Sequence, residues 1–233
     1  MIRVFDVLLS GIALLVLSPV FLLIMFVLRL TGEHDVFYRQ SRIGRGGRAF
    51  RLYKFVTMRR GSPNVGTGLI TTRNDPRVLP VGRILRRTKM NELPQILNVL
   101  IGDMSVVGPR PQVKAHFDIY PAHVRRELIR VRPGLTGIGS IVFRDEEAIL
   151  STCPMPVDVC YGSFIAPYKG EIEVWFLRRE SRADYFRMIF LTAWVILFHQ
   201  SRLYERIYPD LPAPPPGLFP ASEGLTDGRA VQS

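Results

Sequence analysis

The residues best suited to chemistry lie in a short stretch that begins at Lys89 and ends at Pro111. Pro94 interrupts an apolar helical pattern there, and proline is best tolerated in the first turn of a helix. The spacing therefore predicts a helix that begins near Asn91, with Asn91 as N-cap and Glu92 in the first turn. A helix start with free backbone N–H groups and basic neighbours suits a phosphate group, although capping and dipole stabilisation would also account for this pair. The basic neighbours are Arg83, Arg86, Arg87 and Lys89.

An uncharged apolar segment of 22 residues runs from Val7 to Leu28 and is long enough for a membrane helix. No small-residue cleavage site follows it, so a secretory signal peptide is not expected. Ser18 and Pro19 lie near its middle. A kinked helix would cross the membrane, whereas a sharp break at this pair would return the chain to the side it entered. Composition alone favours the kinked span, and both alternatives predict a membrane-bound protein.

Positive charge is concentrated beside this segment. The chain has 31 basic and 20 acidic residues, a net charge of +11. Residues 1–100 hold 16 basic and 5 acidic residues, so they carry the whole excess. Such charge next to a membrane segment predicts the cytoplasmic side and anionic lipids or nucleotides as partners. Nucleic-acid binding would need a soluble basic domain with stacking aromatic residues, and the apolar first thirty residues argue against it.

The remaining patterns predict an α+β protein, with a small and mainly helical cytoplasmic domain that has short strands and interfacial helices. Residues 36–58 are typical of two short strands around a glycine turn. The apolar stretch Met188–Phe198 is too short to span a bilayer and fits an interfacial or a buried helix. The two cysteines are expected to be free thiols. The helical patterns cover residues 81–89, 91–100, 112–131 and 171–206.

The predicted division of the chain has three parts. Residues 1–30 form the membrane segment and residues 31–207 form the cytoplasmic domain. Residues 208–233 are rich in proline and polar residues, which predicts a disordered tail.

Several short motifs follow one another in a specific order. They are Lys89-Met-Asn-Glu-Leu-Pro-Gln95, Asn98-Val-Leu100, Gly102-Asp-Met-Ser105, Gly108-Pro-Arg-Pro111 and Arg132-Pro-Gly-Leu-Thr-Gly137. On these motifs the chain strongly resembles the bacterial sugar transferases that form the monotopic phosphoglycosyl transferase family. The Ser18-Pro19 pair, Phe37-Tyr-Arg-Gln40 and Tyr53-Lys-Phe55 agree with the resemblance, which covers roughly residues 3–200.

The resemblance implies a re-entrant membrane helix broken at Ser18 and Pro19, and it implies a reaction. A sugar 1-phosphate passes from a nucleotide-diphosphate sugar, expected to be a UDP-sugar, to undecaprenyl phosphate with the help of Mg²⁺. This reaction would be the first membrane step of polysaccharide or glycoconjugate synthesis, at the cytoplasmic face of the inner membrane. The implied partners are these two substrates and membrane phospholipid. The residue types do not indicate which sugar is transferred.

Residues of this chain match several needs of that reaction. Basic side chains must neutralise the diphosphate, and Arg110, held between two prolines, is the best placed of them. Glu92 offers a carboxylate oxygen to magnesium. The candidate catalytic residues are thus Asn91, Glu92 and Arg110. The candidate substrate-binding residues are Lys54, Arg87, Pro109, Pro111, Arg132, Thr136, Asp145 and Glu147.

Asn91 departs from the family pattern, in which an Asp at this position attacks the β-phosphorus. A neutral amide is a poor nucleophile at phosphorus. Glu92 could take over, a carboxylate of the Arg144-Asp-Glu-Glu147 cluster could replace it, or the lipid phosphate could attack the donor directly. A different alternative is a catalytically impaired membrane scaffold that binds nucleotide sugar or anionic lipid.

Overall fold

The computed structural model describes residues 2–64, 75–179, 181–198, 201–216 and 218. The fold is α+β and mostly helical, as the sequence predicts. The helices are α1 (Ile2–Leu30), α2 (Pro80–Arg87), α3 (Gln95–Ile101), α4 (Lys114–Ile119), α5 (Ala122–Leu128), α6 (Ile138–Val142), α7 (Glu146–Thr152), α8 (Val157–Cys160), α9 (Ala166–Arg179), α10 (Arg182–Leu197) and α11 (Leu203–Ile207). The strands are β1 (Phe37–Ile43), β2 (Ala49–Phe55), β3 (Ser105–Val107) and β4 (Gly134–Thr136).

Strands β1 and β2 form the predicted antiparallel hairpin, with Phe37 opposite Phe55 and Ile43 opposite Ala49. Gly46 and Gly47 have φ angles of 70° and 73° in the connecting turn, a region that glycine adopts without steric cost. Strands β3 and β4 form a short parallel pair. This second pair joins the segment after α3 to the 132–137 motif, so two of the sequence motifs lie side by side.

Helix α1 is continuous through Ser18 and Pro19, so the predicted break is not present as an interruption of the helix. Pro19 has no backbone N–H to donate to the carbonyl of Leu15, four residues earlier. The hydroxyl of Ser18 donates to this carbonyl at 2.8 Å and so replaces the missing donor. By length and composition, α1 is the one helix of the described residues that is long and apolar enough to cross a membrane.

Both ends of α1 are fastened to the same domain. Near its start, Asp6 is 1% exposed and accepts hydrogen bonds from the Ser105 hydroxyl, the Val106 N–H and the Tyr185 hydroxyl, each at 2.9 Å. Arg3 donates to the Val99 and Leu100 carbonyls near the end of α3. Near the other end, one face of the helix packs against Phe55 and Leu85, through Phe21, Ile24 and Leu28. The opposite face of α1 is apolar and exposed.

The largest hydrophobic core surrounds α9 and α10 and includes the C-terminal segment. Helices α9 and α10 are separate, because Ser181 and Asp184 form a capping box that begins α10.

Tyr208 and Leu218 are buried in this core, so the first part of the predicted disordered tail is packed, while residues 219–233 lie outside the described residues. The prediction of free thiols is wrong, because Cys153 and Cys160 form a disulfide.

Candidate active site

The predicted helix at Asn91 begins later than the sequence indicates. Residues Met90–Glu92 form a 3₁₀ turn, and α3 begins only at Gln95 with Pro94 as its N-cap residue. The turn follows Lys89, which has a φ angle of 58°. Asn91 therefore does not cap a helix. The change of direction before α3 instead turns the Glu92 side chain towards the β1–β2 hairpin, where it meets Lys54.

Glu92 is held between two cations. Lys54 Nζ lies 3.1 Å from Glu92 Oε1, and Arg110 donates through Nη2 to Oε1 at 2.6 Å and through Nη1 to Oε2 at 3.3 Å. The side chains of Lys54 and Glu92 are each 16% exposed. We call these three residues the Glu92 clamp. It brings together three residues that the sequence analysis selected from three separate motifs.

Burial and charge act in opposite directions on the ionisation of the Glu92 clamp. Burial raises the pKa of Glu92, but the charges of Arg110 and Lys54 outweigh it and hold this pKa well below its usual range. The charge of Glu92 raises the pKa of Arg110. Burial lowers the pKa of Lys54 to about 8, although Glu92 opposes this shift. Glu92 is therefore an ionised carboxylate at neutral pH.

Arg42 lies beside the Glu92 clamp and is a residue that the sequence analysis did not select. It donates to the Pro111 carbonyl at 3.0 Å and to Gln40 Oε1 at 2.6 Å. Burial, followed by the charge of Arg110, lowers the pKa of Arg42 to about 10. The two-residue alternation of a strand would have found it, because Arg42 and Lys54 point to the same face of the hairpin in the observed register.

A second charged group lies around helix α9. Lys169 forms an ion pair with Glu146, and Glu173, one turn further along, is 3% exposed. We call Glu146, Lys169 and Glu173 the α9 cluster. Burial raises the pKa of Glu173 to about 7, whereas the charge of Lys169 overcomes burial and lowers the pKa of Glu146. The two groups are joined by Arg110, whose backbone N–H donates to Glu173 Oε1 at 3.4 Å.

The charge of the buried and partly buried groups of the site does not balance. The cations are Arg42, Lys54, Arg110 and Lys169, and the fully ionised anions are Glu92 and Glu146. With Glu173 partly protonated near neutral pH, the site retains a net positive charge. Unbalanced charge in a poorly hydrated environment is costly, so the site favours an anionic ligand.

The acidic cluster at residues 145–147 contributes only in part. Glu146 is the member that reaches the charged groups, through Lys169. Asp145 is exposed and occupies the N-cap position of α7 without a capping hydrogen bond. Glu147 belongs to α7, and its side chain lies outside the described parts of the chain. Asp145 stays a predicted substrate-binding residue, with a side chain that faces solvent.

Other predicted substrate-binding residues have different contacts. Arg132 donates to the Gly102 carbonyl at 2.8 Å, and the hydroxyl of Thr136 shares a hydrogen bond with Thr192 at 2.7 Å. These two residues join structural elements and do not reach the Glu92 clamp. Arg87 is exposed at the end of α2. Pro109 and Pro111 act through their carbonyls, which accept from the Gly134 N–H at 2.8 Å and from Arg42.

The chemistry of the donor atoms around Glu92 fits a magnesium ion only if a ligand completes its coordination. Asn91 is 6% exposed, and its Oδ1 has no hydrogen-bond partner among the described residues. One carboxylate and one amide oxygen, completed by phosphate oxygens and water, suit magnesium. Residues 2–64 and the other described ranges contain no group of three or more His, Cys, Asp or Glu side chains that could hold a metal alone. The ion would therefore have to arrive with a phosphate-bearing substrate.

The fold and the site define a protein with a long apolar helix packed against a small α+β domain, next to a group of side chains with a net positive charge. The sequence matches the model of the bacterial sugar transferase family over residues 1–199. The chain belongs to this family.

Curated proteins of similar sequence come from several bacteria. The exopolysaccharide production protein ExoY of Rhizobium meliloti (strain 1021) is 42% identical over 158 residues, which cover 62% of this chain and 70% of that protein. The UDP-glucose:undecaprenyl-phosphate glucose-1-phosphate transferase of Escherichia coli (strain K12) is 38% identical over 177 residues, or 75% of this chain and 37% of that protein. The protein of the same name in Caulobacter vibrioides is 42% identical over 143 residues, or 60% of this chain and 52% of that protein.

Proposed function

We propose that this protein transfers a sugar 1-phosphate from a UDP-sugar to undecaprenyl phosphate at the cytoplasmic face of the inner membrane. The reaction would begin the membrane stage of an exopolysaccharide or a related glycoconjugate. Relatives named for this transfer, and relatives named for exopolysaccharide production, support the choice of substrates. The observation that carries the proposal is the contact between the surroundings of the Glu92 clamp and helix α1.

Two members of the clamp are each followed by an apolar residue that packs towards α1. Phe55 follows Lys54, and its ring lies 5.5 Å from the ring of Phe21. Leu93 follows Glu92 and packs in the same hydrophobic cluster. Consecutive side chains of a strand point to opposite faces, so Phe55 packs on α1 while Lys54 faces the clamp on the other side of β2. A diphosphate bound in the clamp and a lipid phosphate carried beside α1 would thus approach the same strand.

We further propose that α1 enters and leaves the membrane on the same side. Both ends of the helix are fastened to one domain, through Arg3 and Asp6 at the start and Leu28 at the end. A spanning orientation would separate these anchors by the thickness of the bilayer and would break the contacts that Arg3 and Asp6 make with the same domain.

Impermeant thiol reagents distinguish the two orientations. We expect cysteines introduced by Ile2→Cys and Glu33→Cys to be protected together in intact cells and to react together in inverted vesicles. Reaction of only one of them in intact cells would contradict the re-entrant orientation.

The cations of the site would stabilise the diphosphate as its charge shifts towards the leaving group. Preorganised charges of this kind act strongly in a site that excludes water. We expect Arg110 and Lys54 to contact the diphosphate, and Arg42 fixes the Pro111 carbonyl of the loop that carries Arg110. Bound magnesium, held by Glu92 and Asn91 Oδ1 together with the substrate, would supply further charge neutralisation.

The ionisation of the site favours direct attack by the lipid phosphate. Asn91 is neutral, and Glu92 is paired with two cations and has a strongly lowered pKa, which makes its oxygens weak nucleophiles. In direct transfer, an oxygen of the lipid phosphate forms a bond to the β-phosphorus. The bond from that phosphorus to the bridging oxygen breaks, and UMP leaves with the electron pair. No proton has to move in this step.

A panel of donors tests the proposed function. We expect the full-length protein in vesicles with undecaprenyl phosphate to release UMP from at least one of several UDP-sugars. Turnover should require the lipid phosphate. Binding of UDP-sugars without turnover across the panel would overturn the proposal in favour of a scaffold, for which the neutral and buried Asn91 is the supporting observation.

Intact-protein mass spectrometry tests the direct step. We expect no phosphosugar adduct on the wild-type protein when the donor is supplied without an acceptor. Asn91→Asp, which places a carboxylate at the position used by the family, should form such an adduct. An adduct on the wild-type protein would contradict direct transfer.

A further inference from the structure

We propose that Glu173 positions Arg110 for the transfer by holding the backbone of residues 108–111 against the turn at 137–139, an inference that rests on the function proposed above. Glu173 lies on α9, outside every motif that the sequence analysis used. The Glu173 side chain contacts the Glu92 clamp at one place, the backbone N–H of Arg110. Its role would therefore be exerted through Arg110.

The carboxylate of Glu173 connects two segments that are distant in sequence. It accepts a hydrogen bond from the Arg110 N–H at 3.4 Å and a second from the backbone N–H of Gly139. The same two segments also bond directly, because the Gly108 N–H donates to the Thr136 carbonyl at 2.9 Å. Glu173 thus completes a connection between the loop that carries Arg110 and the end of β4.

The two segments leave room for this carboxylate and for little else. A Cβ atom at Gly139 would collide with the Glu173 carboxylate, and a Cβ atom at Gly137 would collide with the Gly108 carbonyl. Glycine is required where two backbone segments approach each other this closely. With Glu173 at 3% exposure, water has little access to replace the lost hydrogen bonds if the carboxylate is removed.

Arg110 is consequently fixed at both ends. Its backbone is held by Glu173, and its guanidinium is held by both oxygens of Glu92. A diphosphate that takes the place of part of this second contact would find the guanidinium already in position. Misplacement of a binding group by about 1 Å can reduce turnover about 100-fold, so loosening the backbone end should be visible in the rate.

The hydrogen bonds of Glu173 also predict which protonation state is competent. An ionised carboxylate accepts from both N–H groups, whereas a protonated one presents an O–H group to one of two donors. The other charged or titratable groups near this carboxylate are Lys169 on its own helix, Arg110, and Tyr120 after α4. Burial raises the pKa of Glu173 to about 7. Turnover should therefore fall as the pH decreases through about 7.

The contribution of Glu173 to stability should change with pH in the direction opposite to turnover. The folded state binds the Glu173 proton more tightly than the unfolded chain does, because its pKa is raised on folding. The contribution of this group to the free energy of unfolding therefore decreases as the pH rises from about 4.5 to about 7. A group with a purely structural role would lower activity and stability together.

The test compares Glu173→Gln with Glu171→Gln, both made in the full-length protein. Glu171 lies on the same helix, is exposed, and pairs with His123 at 2.7 Å, so it is a matched control. We expect the ratio of the wild-type rate to the Glu173→Gln rate to decrease about tenfold between pH 8 and pH 6, as a single group with a pKa near 7 requires. The Glu171→Gln ratio should not change. The melting temperature of Glu173→Gln should change less with pH than that of the wild type, because the variant has no group that titrates at this position.

A combination with Arg110→Lys tests whether the effect passes through Arg110. If Glu173 acts through this residue, Glu173→Gln should reduce turnover much less in the Arg110→Lys background than in the wild type. Equal reductions in both backgrounds, or a pH ratio that does not change, would overturn the inference. Should Glu173→Gln fail to fold, Glu173→Asp keeps the charge on a shorter stem and should retain the decrease at low pH. Absence of that decrease would also overturn it. A wild-type protein without turnover on any donor would instead overturn the proposed function, which the same assay reports separately.

Discussion

Glu92 and Glu173 are both buried glutamates on either side of Arg110, yet their ionisation differs. Glu92 contacts two cations directly, Lys54 and Arg110, and its pKa lies well below the usual range. Glu173 contacts backbone N–H groups, while Lys169 acts on it from one turn away, and its pKa is about 7. Burial raises the pKa of each carboxyl group. The number of cations in direct contact therefore decides which of the two is a permanent anion.

Because of this difference in ionisation, we expect Glu92 and Glu173 to have different roles. A permanent anion between two cations can orient both of them and can offer an oxygen to magnesium at any physiological pH. A carboxyl group that titrates near 7 responds to its surroundings, and its hydrogen bonds reach only the backbone. We therefore place the chemistry at the Glu92 clamp and the adjustment of its geometry at the α9 cluster.

The largest expected effect comes from neutralising the permanent anion. Glu92→Gln keeps the shape of the side chain but leaves Lys54 and Arg110 without their shared counter-ion. We expect turnover to decrease about 10³-fold, the upper range for loss of one preorganised electrostatic group. The measurement is UMP release in vesicles, with Glu171→Gln as the control. Unchanged turnover would show that the proposed magnesium ligand and the orienting anion are both wrongly assigned.

A smaller effect is expected when the cation is kept but its geometry is lost. Arg110→Lys retains the charge, but the ammonium group cannot make the paired contact that Arg110 makes with Glu92. We expect turnover to decrease about 100-fold. The matched control is Arg130→Lys, because Arg130 is exposed and pairs with Glu127 at 3.1 Å. Equal rates for Arg110→Lys and the wild type would mean that only the charge at this position matters.

The smallest effect is expected at Arg42, a hairpin residue that supports the loop carrying Arg110. Arg42→Lys should weaken the hydrogen bond to the Pro111 carbonyl, which is worth about 1 kcal/mol, and so reduce turnover about fivefold. The control is Arg45→Lys in the exposed hairpin turn. A decrease as large as that of Arg110→Lys would indicate that Arg42 contacts the substrate itself.

The hairpin and the short helices could be predicted because their signals are local, whereas the motifs indicated the three residues of the Glu92 clamp without indicating their contacts. Alternation around Gly46 and Gly47 marks the hairpin, and the proline-flanked Arg110 marks the loop. The position of α3 could not be predicted from Pro94 alone, because the left-handed Lys89 and the 3₁₀ turn shift the start of the helix to Gln95. Only the packing against the hairpin makes that geometry favourable.

The α9 cluster could not be predicted because it depends on tertiary contacts. Lys169 and Glu173 are four residues apart, a spacing that is common in exposed helix pairs, and nothing in the sequence indicates that both are buried. Whether α1 continues through Pro19, one of the two alternatives that the sequence leaves open, could not be decided for a related reason. Ser18 could supply the replacement hydrogen bond, but a hydroxyl before a proline does not by itself indicate whether the helix continues.

Direct transfer at the Glu92 clamp can be measured in a single turnover, as UMP release by the full-length protein in vesicles with and without undecaprenyl phosphate. A donor that is active in the panel is supplied, and Glu92→Gln is measured beside the wild type. Direct transfer predicts release by the wild type only when the lipid phosphate is present, and almost none by the variant. Stoichiometric release without the lipid phosphate, or equal release by the variant, would contradict it.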